Sequence, residues 1–265
     1  MTISRDKNPK ETSYKLMGQN IGKTEEEKDI GVIVDSKLKF EKHISEKVNK
    51  ANSIFAVIRR SFRHLNAETF LPMYKSMVRS QLDYASSIWA PYQKKLVDKI
   101  EQVQKRATKQ IPGLGNLSYP DRLKKLKLPT LSYRRVRGDM IELYKITKEI
   151  YDPAVTSCIK LAKDTNIRHS TRTNEVKIIQ QRPKLEIRRN FFAVRASKIW
   201  NKLPDNVVKA PSLNSFKNRL DKYWENQDII YDYRAEINVT QGSHGPNANP
   251  AEDLEPLEEA SAEAC

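Results

Sequence analysis

Apolar residues that recur every three or four positions dominate the chain from residue 40 to about residue 149, and this spacing constrains the fold most. It matches the period of the α-helix, in which such residues share one face. Prolines and glycines divide the pattern into separate helices. We expect a helix that Asn66 caps and Pro91 ends, a short helix over about 119–127 that Ser118 caps, and further helices over about 41–61, 94–110 and 131–149. The first stripe comprises Ile44, Val48, Ala51, Phe55 and Ile58. The fold class is therefore predicted to be mainly α.

The two ends of the chain show other patterns. "DIGVIVD" is rich in β-branched residues and "GQN" is typical of a turn, which favours a short β-hairpin or sheet with "KTEEEK" as a solvated loop. Beyond residue 150 we expect mixed α/β structure, with a strand in "TRTNEVKIIQQ" and a last helix capped by Ser212. The predicted organisation is a β-hairpin at 1–38, a helical bundle at 39–150, a mixed α/β part at 151–235 and a disordered acidic tail at 236–265.

The charge balance indicates which partners the chain could bind. It carries 48 Lys and Arg against 33 Asp and Glu, a formal charge of +15. Six of the acids lie at 241–265, which has no Lys or Arg, so residues 1–240 carry +21. Such a field favours polyanions, nucleic acid ahead of a membrane surface. No run approaches the ~18 apolar residues of a membrane-spanning helix. We expect a soluble intracellular protein, cytoplasmic or nuclear, with no membrane or small-molecule partner.

The sequence offers few groups for catalysis. Asp35 follows the short apolar strand and His43 follows shortly after, so they form either a catalytic pair or a junction between a strand and a helix. The other three histidines lack the context of a triad or metal site, and two distant cysteines make neither a disulfide framework nor a zinc site. Phosphate-binding glycine loops and paired acids for two metal ions are also missing. We predict no catalytic residue, metal or cofactor, with Asp35 capping the chain and His43 opening the first helix.

Basic residues cluster with aromatic residues in "IRRSFRHL", "QKRATK", "DRLKKLK", "SYRRVR" and "EIRRNFFAVR". Lys and Arg on successive helices can follow a phosphate backbone, while Tyr or Phe can stack on exposed bases. Positive charge at the start of the helix at 131–149 opposes the helix macrodipole, and a bound polyanion would explain it. We predict nucleic-acid contacts from Arg59, Arg60, Arg63, Lys75, Arg79, Lys105, Arg106, Lys109, Arg122, Lys124, Lys125, Arg134, Arg135 and Arg137.

The order of these segments resembles the reverse transcriptases of non-LTR retrotransposons, jockey-like and related LINE elements above all. The resemblance covers residues 10–235 and includes "FFAVRASKIWNKLP" as well as "LPTLSYRRVRGDM". The residues that carry it in the first two thirds of the chain are Ile30, Gly31, Val32, Asp35, Leu38, Phe40, His43, Tyr74, Val78, Leu82, Tyr84, Trp89, Gln104, Arg106 and Ala107.

This resemblance is to the part of the enzyme that follows the palm: the last palm hairpin, the helical thumb and the segment beyond. It implies an RNA-directed DNA polymerase family, but the Ala/Phe-Ala-Asp-Asp hairpin that holds the palm aspartates is not in this sequence, nor is the apurinic-type endonuclease or a Cys/His knuckle. The resemblance therefore implies a truncated element or a fragmentary gene model that retains template–primer binding. Mg²⁺ would be needed only together with the missing palm. The expected partner is duplex RNA or DNA, or an RNA–DNA hybrid.

Two alternatives remain at this point. "YPDRLKKLKLPTLSYRRVRGD" mimics a helix-turn-helix, which would make the chain an independent sequence-specific DNA-binding protein. The chain could instead be an interaction protein whose acidic tail folds back on its basic body.

Overall fold

The computed structural model describes residues 1, 3, 13–62, 66–156, 159–162 and 176–238, without the side chains of residues 153 and 155. Arg63, most of the predicted acidic tail and the first half of the strand predicted in "TRTNEVKIIQQ" lie outside the described residues.

The β structure consists of two antiparallel hairpins that precede the helices. Strand β1 (Tyr14–Leu16) pairs with β2 (Gln19–Ile21), and β3 (Glu26–Asp29) pairs with β4 (Val32–Asp35). The segment predicted as a solvated loop therefore supplies β3. Only β4 buries side chains, Val32 and Ile33, so β3 contributes backbone hydrogen bonds and needs no apolar pattern.

The helices up to residue 126 form the first hydrophobic cluster. Asn66 caps its second helix by accepting from the Thr69 backbone N–H, and Ser118 caps its last by accepting from the Asp121 N–H, as the sequence predicts. The segments are α1 (Glu41–Ser61), α2 (Ala67–Met73), a π-helical turn (Tyr74–Arg79), α3 (Ser80–Asp83), α4 (Ser86–Trp89), α5 (Lys94–Lys109) and α6 (Tyr119–Leu126).

The helix predicted from Asn66 to Pro91 is interrupted twice. Pro72 has no N–H to donate, and a π-helical turn follows it. Ala85 then adopts a left-handed conformation with φ 51°, which ends α3 and lets α4 begin. The Trp89 indole N–H donates to the Tyr84 carbonyl at 2.8 Å and fixes this bend.

The remainder of the described chain is more helical than the mixed α/β expectation for 151–235. Its β structure is a single bridge between Leu161 and Ile178. Ser212 caps the last α-helix by accepting from the Ser215 N–H, as predicted. The segments are α7 (Leu131–Thr147), α8 (Pro153–Thr156), α9 (Glu186–Arg189), α10 (Phe192–Trp200), α11 (Asp205–Val208), α12 (Leu213–Tyr223) and a 3₁₀ turn (Asp228–Ile230).

Helix α7 joins two hydrophobic clusters. Its first residue, Leu131, belongs to the cluster formed by β4 and α1 to α6, whereas Tyr133, Met140 and Leu143 belong to the cluster formed with α10 to α12. The second cluster contains the fully buried Trp200 and Trp224. The mainly helical fold class is confirmed, with two small two-stranded sheets before the helices.

Candidate nucleic-acid interface

Helices α1 and α5 lie side by side and run in the same direction. Lys95 Nζ lies 2.9 Å from Glu41 Oε1, and Lys99 Nζ donates to Ser45 Oγ at 2.7 Å. The second contact lies four residues further along both helices than the first, so the two helices are parallel. The carboxyl ends of both helices therefore lie at the same end of the bundle.

Helix α6 packs beside the last turns of α5. The Arg122 Nε donates to Thr108 Oγ1 at 3.2 Å. Five of the predicted residues are exposed on the carboxyl-terminal parts of α1, α5 and α6 and have no hydrogen-bond or ion-pair partner among the described residues. We call them the basic end: Arg59, Arg60, Arg106, Lys109 and Lys125.

Around four of its five residues, the positive charge of the basic end is not balanced by acids nearby in the sequence. Residues 47–67 and 102–120, which include the carboxyl halves of α1 and α5, contain no Asp or Glu, whereas Lys125 follows Asp121 by four residues on α6. Basic residues at helix carboxyl ends are favoured by the macrodipole, which explains one or two of them but not the absence of acids from both stretches. Lys75 is also exposed, on the π-helical turn, and Lys124 is exposed with its Nζ 5.9 Å from the centre of the Tyr231 ring.

Six other predicted residues are engaged inside the protein. Arg134 donates from Nε and Nη2 to Asp83 Oδ2, and Arg79 Nε lies 3.5 Å from the same oxygen. Arg137 donates to both carboxylate oxygens of Asp221, at 2.6 and 2.7 Å. These acids account for Arg134 and Arg137 at the start of α7 without a bound polyanion.

The remaining three engaged residues stabilise α5 and α7. Arg122 is buried and donates to the Leu117 carbonyl at 2.6 Å. Lys105 donates to the Tyr233 hydroxyl at 2.9 Å and lies 4.3 Å from the centre of its ring. Arg135 is buried and donates to Ser132 Oγ at 3.1 Å. None of these three side chains is presented to a duplex on the surface.

Asp35 and His43 do not form a catalytic pair. Asp35 accepts hydrogen bonds from the backbone N–H groups of Lys37, Lys39 and Phe40, at 3.0, 3.1 and 2.6 Å, and so fixes the turn into α1. His43 is buried, accepts from the Ile33 N–H through Nδ1 at 3.2 Å and packs against Trp89. Burial lowers the pKa of His43 to about 4, so the ring is neutral at pH 7. Both residues have the structural roles that the sequence predicts.

A buried carboxyl group lies where α5, α6 and α7 meet. Glu101 Oε1 accepts from the Tyr119 hydroxyl at 2.5 Å and from the Leu131 N–H at 3.2 Å, while Oε2 has no partner among the described residues. Gln104 links the same network by donating to Tyr119 and accepting from Tyr74. Burial raises the pKa of Glu101. Glu101 and its hydrogen-bond partners are enclosed by the core, so this network has a structural role.

Helix α7 does not lie as a recognition helix would. A helix-turn-helix protein presents the amino-terminal half of its second helix to the major groove. In α7 the residues Leu131, Ser132, Tyr133 and Arg135 are all buried. The structure gives the helix-turn-helix interpretation no support, and the proposed folding back of the tail falls outside the described residues.

Two further observations concern the described part of the chain alone. No three His, Cys, Asp or Glu side chains come together there in a way that could hold a metal ion. None of its helices has the length and apolar character required to cross a membrane.

Comparison with known proteins gives one informative similarity. The chain is 30% identical over 111 residues to the uncharacterized protein B0403.1 of Caenorhabditis elegans, a match that spans 41% of this chain and 56% of that relative. The chain thus spans about half the length of the curated relative it matches. No family model and no solved structure matches the chain.

Proposed function

We propose that the chain is the post-palm thumb and C-terminal part of a reverse transcriptase of the non-LTR retrotransposon kind, and that it binds nucleic-acid duplex, RNA–DNA hybrid included, without sequence preference. The observation that carries the binding proposal is the basic end. Its five exposed cations have no partner among the described residues, and all of them except Lys125 lie in stretches of sequence that contain no acid. The retrotransposon assignment rests on the ordered sequence resemblance.

The contacts expected at this surface are to phosphates. Lys and Arg that neutralise phosphates release condensed counterions, so the affinity falls as the salt concentration rises, whatever the base sequence. The parallel arrangement of α1 and α5 places Arg59 and Arg106 on adjacent helices, as a continuous phosphate backbone requires.

The test is a titration of a labelled RNA–DNA hybrid, followed by fluorescence anisotropy, at 50 to 200 mM salt. Five phosphate contacts predict a loss of affinity of about 500-fold over this range. Unlabelled duplexes of unrelated sequence are expected to compete equally well. Binding that is independent of salt, absent at 50 mM salt or confined to one sequence would contradict the proposal.

Catalysis is a separate expectation. The palm aspartates are not among the residues of this chain, so the chain alone is expected to incorporate no nucleotide in a primer-extension assay. Metal-dependent incorporation by the purified chain would refute this part of the proposal.

A further inference from the structure

A cleft of about 850 Å³ lies between the start of α5, one face of α7, one face of α10 and the segment after the 3₁₀ turn. We call it the α7 cleft. Its size falls within the range of pockets that bind small organic molecules. Of the residues predicted to contact nucleic acid only Arg135 lines it, so it is separate from the basic end. Its apolar wall includes Val97, Val136, Ile199 and Ile237.

The cleft is lined by more cations than acids. Asp139, one of its three acids, is already paired, because Arg195 donates to both of its oxygens at 2.9 and 3.0 Å. Asp98 accepts from the Tyr233 hydroxyl at 2.6 Å. By contrast, Lys94, Lys198 and Lys202 are exposed around the cleft and have no partner among the described residues.

Arg135 is a buried cation within this wall. Its residue surface is 7% exposed, and its Nη1 has no hydrogen-bond partner among the described residues. No described acid lies within ion-pair distance of it; Glu101, Asp83 and Asp139 act on it electrostatically from farther away. A buried charge without a pairing partner is costly. An anion bound in the cleft would offset that cost.

The two facing helices place cations and apolar groups on the same surfaces. Arg195, Lys198 and Lys202 follow one another at three- and four-residue spacing on or just beyond α10, and they line the cleft together with Ile199. On α7 the buried Arg135 adjoins Val136 in the same wall. Such a surface suits a ligand with an apolar body and one strongly anionic group.

We propose that the α7 cleft binds a phosphate monoester of the size of a mononucleotide, whose body has a face that can pack on apolar side chains. The phosphate group is bound by Lys198 and Lys202, the buried Arg135 adds positive charge to the lining of the cleft, and the body lies against Val136 and Ile199. Charge-assisted hydrogen bonds from the two ammonium groups select phosphate over a neutral ligand. A free mononucleotide and an unpaired nucleotide at the end of a strand share this chemistry.

The first experiment measures binding of AMP, adenosine and inorganic phosphate to the full chain by titration calorimetry. AMP is expected to bind at least tenfold more tightly than either fragment, because only AMP satisfies both the cations and the apolar wall. The double variant Lys198→Ala/Lys202→Ala is expected to weaken AMP binding at least tenfold. The matched control Arg106→Ala/Lys109→Ala removes two cations from the basic end and is expected to leave AMP binding unchanged.

A second variant separates binding from folding. Arg135 also supports the start of α7 through Ser132, so its replacement would change stability together with binding. Ala90→Trp instead adds bulk at a lining residue that is not fully buried and is expected to abolish AMP binding while circular dichroism shows an unchanged helix content. Undetectable AMP binding by the wild type, equal affinity for AMP and inorganic phosphate, or AMP binding that both variants retain would overturn the proposal.

The source of the nucleotide is distinguished by competition. Displacement of AMP by a hybrid with one unpaired 3′ nucleotide, but not by a blunt hybrid, would support the proposal with a strand end as the ligand. Failure of both hybrids to displace AMP would support it with a free nucleotide. The basic end is tested by a different experiment, the salt-dependent hybrid titration with the Arg106→Ala/Lys109→Ala variant. Failure of the cleft proposal and failure of the basic-end proposal can therefore be distinguished.

Discussion

Arg134 on α7 donates from two nitrogens to one oxygen of Asp83 on α3, at 3.0 and 2.7 Å, across 51 residues of sequence. Asp83 belongs to the half of the molecule built by α1 to α6, and Arg134 lies at the point where α7 passes into the other half. Arg195 makes a second connection, because it donates to the Ser87 carbonyl in α4 and to Asp139 on α7. The two hydrophobic clusters are thus joined by polar contacts as well as by α7.

Replacing Asp83 by Ala is expected to destabilise the fold by about 2 kcal/mol, because the partly buried Arg134 loses its hydrogen-bond acceptor and the partly buried Arg79 loses its ion-pair partner. Urea denaturation followed by circular dichroism would measure the loss. Lys209→Ala breaks an exposed ion pair with Asp205 and serves as the control, with an expected change below about 0.5 kcal/mol. Equal losses in the two variants would show that the Asp83 pairs contribute no more than surface pairs do.

The sequence predicts local features of this fold well and distant pairings poorly. The caps at Asn66, Ser118 and Ser212 follow from side-chain contacts over three residues, and all three are present. The pairing of Arg137 with Asp221 spans 84 residues, so no local pattern could distinguish a paired arginine from one free to bind phosphate. Local patterns could not predict the α7 cleft either, because its walls come from segments more than 100 residues apart.

The lowered pKa of His43 predicts that the folded protein loses stability at acid pH. Burial is the main cause of its lowered pKa, to about 4, with a further contribution from Lys47. An unfolded histidine has a pKa near 6.5, so the unfolded state takes up the proton first. The stability is therefore complete above pH 6.5, declines as the pH falls toward 4 and is reduced by about 3 kcal/mol below that pH.

Urea denaturation at several pH values between 7.5 and 4 would measure this dependence. The variant His43→Asn keeps an acceptor for the Ile33 N–H but does not titrate in this range. It is expected to be less stable than the wild type at pH 7.5, because the contact with Trp89 is lost, and to show a flatter pH dependence. The same slope in both proteins would exclude His43 as the group responsible.

The raised pKa of Glu101 predicts the opposite pH dependence of stability. Burial raises its pKa above that of an unfolded glutamate, so the folded state holds the proton more tightly. Its contribution to stability is therefore complete below about pH 4 and is lost as the pH rises through the folded pKa. The variant Glu101→Gln keeps an oxygen to accept from Tyr119 and Leu131. The difference in free energy of unfolding between the two proteins should shift in favour of the glutamine as the pH rises from 4.5 to 8, and a constant difference would contradict the assignment.

The division between exposed and engaged arginines predicts two distinct phenotypes. Arg59→Ala/Arg60→Ala removes two exposed, unpartnered cations at the end of α1 and is expected to leave the urea midpoint unchanged. It should reduce the salt slope of hybrid binding by about 2, because each phosphate contact contributes about 0.9. Arg137→Ala removes the partner of Asp221 and is expected to lower the urea midpoint while leaving the salt slope unchanged.

Lys217→Ala/Lys222→Ala on α12 is the control for charge alone, since it removes two cations far along the chain from the basic end. A slope that fell equally in all three variants would mean that the net charge of the whole protein, and not the basic end, determines binding.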